Sequence, residues 1–333
     1  MTTRILICDD SALARKHLVS ALPADWDVSI QLAKDGNEAL AHLQHHPVDV
    51  LFLDLNMPKL DGYQVLAAIN ERKLEVFTLV VSADIQPKAL QQVTALGAMA
   101  FIKKPIVTQE LASLLADYGL YRPTGQVAAR DLSKVAAPIS LEEQLQELAN
   151  VAMGQASSLL AQLLGSFIYQ PIPKVSFLER SELTMTLSAL SSHKEYSGVC
   201  QGFIGSGIAG EALLLFSDTS NEAMAQLLHY DHQEAIAPEV EVLMDMSNIL
   251  FGAFLKGLGE QLDIRFGLGQ PSLLGNQEQL TALLRHHQRQ TGSFLCIEIP
   301  YLLEQERINC NLLIIFAQGT AVRLEKRLAY LTE

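Results

Sequence analysis

Along the first 118 residues, apolar and polar positions alternate between two periods. Apolar runs at residues 5–8, 28–32, 48–53, 76–81 and 98–102 are short and rich in Val, Ile and Leu. The third and fourth are almost wholly apolar, as central parallel strands covered on both faces should be. Between them, residues 11–22, 36–45, 62–73, 87–96 and 108–118 carry helical periodicity. Asp35 with Glu38 three positions on places a helix start there. Five βα units of this size predict an α/β doubly wound, five-stranded parallel sheet. Its functional residues should sit at the carboxyl ends of the strands.

Residues 119–138 break the pattern. They hold Gly, Pro and small residues without periodicity and read as a linker. Beyond them, residues 139–333 contain an internal repeat, about 139–236 and 237–333. Glu143, Glu147, Asn150, Gly154 and Pro173 return as Glu241, Asp245, Asn248, Gly252 and Pro271, each 98 positions later. Each half reads as a long helix, a strand through the proline, a short helical piece, a hairpin and a closing helix. The hairpins are expected at 196–204 with 211–216 and at 294–299 with 309–316, the closing helices near 221–229 and 321–330. The second region is therefore expected to be an α+β domain with pseudo-twofold symmetry.

Composition and charge narrow the function. The formal net charge of −13 divides into −4 over residues 1–120, +2 over 121–138 and −11 over 139–333. A nucleic-acid-binding domain needs a basic face to neutralise phosphates, so a second region this acidic argues against nucleic acid as a partner. No apolar run approaches the roughly 18 residues that cross a bilayer, and residues 1–10 read as a strand rather than a signal peptide. Cys8, Cys200, Cys296 and Cys310 lie in apolar runs without CxxC spacing, which points to buried reduced thiols and a cytoplasmic protein.

The polar residues at the strand ends carry the candidate chemistry. Asp9 and Asp10 follow the first strand, Asp54 ends the third, Ser82 the fourth, and Lys104-Pro105 follows the fifth. Converging carboxylates repel unless a cation neutralises them, and their oxygen-only character suits Mg²⁺. A lysine and a hydroxyl opposite can hold phosphoryl oxygens. One such acid alone reads most simply as a loop cap; five groups at matching strand ends read as a site that loads a phosphoryl group onto a carboxylate.

These residues, with the Asp54-x-x-Met57-Pro58-x-x-Asp61-Gly62 run and Ser82-Ala83, resemble the CheY-type response-regulator receiver family over about 118 residues. The resemblance implies that Asp54 accepts the phosphoryl group. It implies that Asp10, Asp54 and the Asn56 carbonyl bind Mg²⁺, with Asp9 acting partly through water. Ser82 and Lys104 would grip the phosphate, and Phe101 stands at the switching aromatic. Asn56 and Asp84 occupy the two variable positions that tune acyl-phosphate lifetime. A histidine kinase is the implied phosphodonor.

In the second region, positions 143, 147, 150 and 154 share one helical face, as do 241, 245, 248 and 252. Leu141, Leu145, Leu148, Val151, Ala152, Ala156 and Leu159 are expected as core, and Glu147 and Asn150 as exposed. A polar helix face is commonly just solvated; its repetition in register, proline included, marks it as a site. The pattern of an acid, three residues, Glu, two residues, Asn, and a proline 23 positions beyond resembles the CheC/CheX/FliY family of receiver phosphatases. Two copies make it CheC-like, with Asp245 standing where the family has Glu. By that resemblance Glu147 pairs with the lysine of a phosphorylated CheY-like receiver and Asn150 aligns a water on its aspartyl phosphate. Asp245 and Asn248, with Glu143 and Glu241 in support, would do the same in the second copy. Action in trans on a separate receiver is the favoured coupling. Action on the chain's own receiver, or a non-enzymatic binding module for signalling or flagellar proteins, are the alternatives.

Overall fold

The computed structural model describes residues 2–125, 139–165, 167–179, 181–183, 185, 196–217, 238–274, 293–303 and 308–332. They form two compact units, Met1–Glu147 and Leu148–Glu333. The expected linker is described only as far as Gly125, and its residues 126–138 lie outside the described residues, as does the expected helix at 221–229.

The first unit alternates β1 (Thr3–Cys8), α1 (Ala12–Ala21), β2 (Val28–Ala33), α2 (Gly36–His45), β3 (Val50–Leu53) and α3 (Gly62–Glu71). It continues with β4 (Phe77–Ser82), α4 (Pro87–Ala95), β5 (Ala100–Lys103) and α5 (Thr108–Asp117). All five strands are parallel, in the order β2-β1-β3-β4-β5. Strand order reverses between β1 and β3, so their carboxyl ends flank the crevice where such sheets place their sites. The apolar character of β3 is explained by its two faces. Val50 and Phe52 join Ile5, Ile7, Leu111 and Leu115 on one side, whereas Leu51 and Leu53 join Leu6, Val65 and Leu66 on the other.

Helix starts follow local chemistry. Ser11 Oγ accepts from Ala14 N–H and Asp35 from Glu38 N–H. The Glu38 carboxylate reaches back to Lys34 N–H at 3.0 Å, one residue short of a full capping box. The reciprocal box is instead at α3, between Asp61 and Gln64. Gly62 is required by space: a Cβ there would stand 2.3 Å from the Asp54 carbonyl. The start of α3 can therefore press against the strand end that carries Asp54.

Helix α6 (Leu141–Leu164) starts in the first unit and continues in the second. The second unit then holds β6 (Lys174–Leu178), the hairpin β7 (Tyr196–Gly205) and β8 (Ile208–Ser217), and α7 (Pro238–Leu262). After these come β9 (Gly267–Leu268), β10 (Ser272–Leu274), the hairpin β11 (Phe294–Leu303) and β12 (Ile308–Phe316), and α8 (Thr320–Thr332). The first hairpin runs longer than its pattern suggests, because Ser206 and Gly207 both take positive φ and close a two-residue turn. Strands β6 and β10 begin immediately after Pro173 and Pro271 rather than running through them, since proline lacks the N–H that a ladder needs.

The sheet order is β10-β7-β8-β12-β11-β6, with β9 also on β7. Each half lends its first strand to the hairpin of the other. Lys174 pairs with Glu298 and, 98 positions away in both directions, Ser272 pairs with Cys200. Strands β8 and β12 join at the centre through Leu213 and Leu313. Leu213, Leu215, Leu313, Ile315, Cys200 and Cys296 lie in one core cluster. Helices α6 and α7 meet closely: a Cβ on Gly257 would be 3.0 Å from Ala152 Cα, and Gln261 donates to the Leu148 carbonyl at 2.8 Å. All four cysteines are buried free thiols. Among the described residues no helix is long and apolar enough to cross a membrane.

Candidate phosphoacceptor site and the repeated helix face

The acid pair is placed by the β1–α1 turn. Asp9 Oδ1 accepts from Ser11 N–H at 2.9 Å, while its Oδ2 accepts from Lys104 Nζ at 2.8 Å. Lys104, delivered by the end of β5, also lies 2.9 Å from Asp54 Oδ1, and Asp54 Oδ2 accepts from Asn56 N–H at 2.7 Å. Asp9, Asp54, Ser82 and Lys104 are all buried. Ser82 Oγ accepts from Asp84 N–H at 3.1 Å. Phe101 is half-buried beside the core that holds Leu53 and Leu55. Three strand ends therefore bring Asp9, Asp54 and Lys104 into direct contact.

Electrostatics follow from this packing. Burial, then Asp9 and Asp10, push the Asp54 carboxyl up to about 8 against the opposing pull of Lys104. Burial and Asp9 raise Asp10 to about 7. Burial pulls Lys104 down, but Asp54, Asp9 and Glu147 outweigh it, so its ammonium is held well above the ordinary range. A buried lysine is thus the main local compensation for crowded acids. Asp9, Asp10, Asp54 and the Asn56 carbonyl are hard oxygen donors, and the raised carboxyls are the ones that a divalent cation would relieve. The donor set fits Mg²⁺. Both Asp9 oxygens are occupied, which suits a role through water, and among the described residues no three His, Cys, Asp or Glu groups are gathered as a metal cluster.

Two contributors escape a reading by strand ends. Arg15, one turn into α1, donates to the Asp9 and Asp10 carbonyls at 2.6 and 3.2 Å and braces the acid-bearing turn. Glu147 is the other in its surroundings, although its position was singled out. It is the last residue of the first unit and its Oε1 lies 3.2 Å from Lys104 Nζ. Burial raises its carboxyl while Lys104 lowers it, and Ser11 also hydrogen-bonds to it.

The expectation that Glu147 and Asn150 are exposed is therefore corrected: both are buried, at 6% and 7% exposure. For Glu147 the reason is its pairing with Lys104. Asn150 Oδ1 is buried with no hydrogen-bond partner. Leu159, expected in the core, is 49% exposed, because its turn of α6 points it away from the buried stripe. Glu143 is exposed, as are Glu241, Asp245 and Asn248 of α7, with Gly252 half-buried beside them. The Glu–Asn pair of the first copy is buried, and the Asp–Asn pair of the second is exposed.

A five-stranded parallel sheet with an acid pair, a buried aspartate, a hydroxyl and a lysine at its carboxyl edge defines a receiver domain. Residues 5–116 match the response regulator receiver domain family. The chain is 30% identical over 167 residues to the probable transcriptional regulatory protein NarL of Mycobacterium tuberculosis, covering 47% of this chain and 77% of that one. It belongs to the response-regulator family. It is also 39% identical over 104 residues to protein-glutamate methylesterase/protein-glutamine glutaminase 3 of Rhodospirillum rubrum, 31% of this chain and 28% of that protein. The chain thus spans less than half the length of that methylesterase. The crystal structure of Thermotoga maritima FliY aligns over 59% of this chain and 98% of its own, at 15% identity and a TM-score of 0.42.

Proposed function

We propose that this response regulator is phosphorylated on Asp54 and that its second region hydrolyses the aspartyl phosphate of CheY-like receivers. The observation that carries the reading is the pairing, in one chain, of a buried Asp9–Lys104–Asp54 cluster at the carboxyl edge of a parallel sheet with a carboxylate–carboxamide face repeated on two equivalent helices, α6 and α7. Asp10, Asp54 and the Asn56 carbonyl would hold Mg²⁺, which would supply charge neutralisation at the phosphoryl group. Ser82 and Lys104 hold phosphoryl oxygens, and a histidine kinase is the donor. In the hydrolytic step Glu147 engages a receiver lysine and orients the helix, and Asn150 holds the attacking water in line. Positioning of this kind is most of what phosphoryl transfer asks of a protein.

The first test is labelling. Acetyl phosphate with Mg²⁺ should label the wild-type chain, and Asp54→Asn should abolish it; undiminished labelling of the variant sinks the assignment. The second is phosphate release from a panel of separate phospho-receivers. Turnover above their unaided decay supports the phosphatase. Tight binding without turnover favours a phosphorylation-controlled binding module for signalling or flagellar proteins.

A further inference from the structure

We infer that the second unit contains an internal site for ordered water, built by Ser157, Gln170 and Tyr301. All three residues belong to that unit. Tyr301 lies on β11, and the antiparallel bridge between Tyr169 and Leu302 sets Gln170 opposite it. Side chains alternate along a strand. Tyr169 is accordingly exposed, whereas Gln170 and Tyr301 turn inward, at 5% and 2% exposure. Ser157 is presented by α6 and is fully buried. Burial raises the Tyr301 phenol, and the Ser157 hydroxyl beside it opposes the rise.

Four polar atoms of this set, Ser157 Oγ, Tyr301 Oη and both Gln170 Oε1 and Nε2, are buried with no hydrogen-bond partner in good geometry among the described residues. Protein interiors seldom leave such groups unmet, and a buried tyrosine hydroxyl ordinarily finds a partner. The unmet set offers donors and acceptors together and carries no formal charge. It would compensate an ion poorly, whereas water can both donate to it and accept from it. One buried water makes about three hydrogen bonds, so four such atoms call for about two waters.

The repeat supplies an internal control. Ser157, Gln170 and Tyr301 correspond, 98 positions away, to Leu255, Leu268 and Phe203. The backbone pairing is the same in both places: Leu268 on β9 lies opposite Phe203 on β7, as Gln170 lies opposite Tyr301. Phe203 packs edge-on against Phe266 and Phe316, with ring centroids 5.5 and 5.8 Å away. An apolar set therefore suits this backbone arrangement. The hydroxyl–amide–hydroxyl set is not imposed by the fold, and its polar atoms need an occupant that the apolar set does not.

Oxygen-17 relaxation dispersion of water tests this on the full chain, because it counts long-lived buried waters. The triple variant Ser157→Ala, Gln170→Leu, Tyr301→Phe should hold about two fewer such waters than wild type. Tyr301→Phe alone keeps the ring and guards against a folding failure in the triple variant. It should lose at least one long-lived water and lower the calorimetric midpoint of its unit by about 2–4 °C. A water count unchanged in Tyr301→Phe and in the triple variant overturns the site. So does a higher midpoint for Tyr301→Phe, the result expected when a hydroxyl without a partner is deleted. A small organic molecule released from the purified chain on denaturation, detected by mass spectrometry and lost in Tyr301→Phe, overturns water as the occupant.

Discussion

At the scale of single residues, Lys104 Nζ lies within 3.2 Å of carboxylate oxygens of Asp9, Asp54 and Glu147. Removing Glu147 deletes one of three carboxylates around that ammonium, and Asp9 and Asp54 remain. Glu147→Ala and Asn150→Ala should each lower phosphatase turnover at least about tenfold, or about 1.4 kcal/mol of transition-state stabilisation. Because both side chains are buried, each alanine should also cost about 1–3 kcal/mol of stability, so folded fractions must be matched by denaturant titration before turnovers are compared. Normal turnover in the double variant would reduce the face to packing.

Asp25 makes a second residue-scale prediction. Its carboxylate accepts from the Tyr121 hydroxyl and from the backbone N–H of Thr124 and Gly125. The Tyr121 hydroxyl first, then Gly125 and Thr124, depress its carboxyl to about 2. A depressed carboxyl stabilises the fold above its ordinary value near 3.9, and this contribution is lost as pH falls through about 2. Asp25→Asn should therefore unfold at a lower temperature than wild type at pH 5–6, with the gap closing toward pH 2. Trp26, the only tryptophan, lies 6.1 Å from the Tyr121 ring, so its fluorescence reports on this anchor. A gap constant across that range would assign the effect to something other than the carboxylate charge.

At the scale of elements, α6 and α7 carry the same face with one difference in chemistry. Asp245 is one methylene shorter than Glu147, which moves its carboxylate on the order of 1 Å. A displacement that small can cost up to about a hundredfold in a positioned reaction. Asn248, Gly252 and Pro271 are retained, so a weakened site is expected on α7. With a separate phospho-receiver as substrate, Asn248→Ala should reduce turnover less than Asn150→Ala. Asp245→Glu should raise the activity left in an Asn150→Ala background. Single-turnover decay across the three variants checks the ranking. A larger loss in Asn248→Ala would mean that the exposed face is the main trans site and that Asp245 suits its partner's geometry.

At the scale of the whole molecule, the exchange of β6 and β10 makes the two halves of the repeat interdependent. Neither half has its own complete sheet: residues 139–236 alone would leave β8 without β12, β6 without β11 and β7 without β9 and β10, exposing three hydrogen-bonding edges. That fragment should aggregate or remain unfolded by circular dichroism, whereas residues 1–125, with both receiver cores complete, should fold cooperatively. A monomeric, folded 139–236 fragment would contradict the pairing.

What the sequence determined was whatever depends on local periodicity and on residue type at fixed spacing. Strands β1 to β5 and their helices were legible because burial on both faces writes itself into runs such as Val50–Leu53. Asp54, Lys104 and the acid pair could be singled out because parallel topology sends every strand end to one edge. The 98-residue repeat was legible because identical offsets do not depend on contacts. The exchange of first strands between the halves was not, since a strand's pattern records which face is buried and not which neighbour fills its ladder. Nor was the fate of the two polar faces. Periodicity marks Glu147 and Asp245 as equivalent, and only tertiary packing places one on Lys104, buried, and leaves the other exposed. A buried carboxylate is tolerated where a shared cation meets it, and that partner lies 43 positions away in sequence, at Lys104.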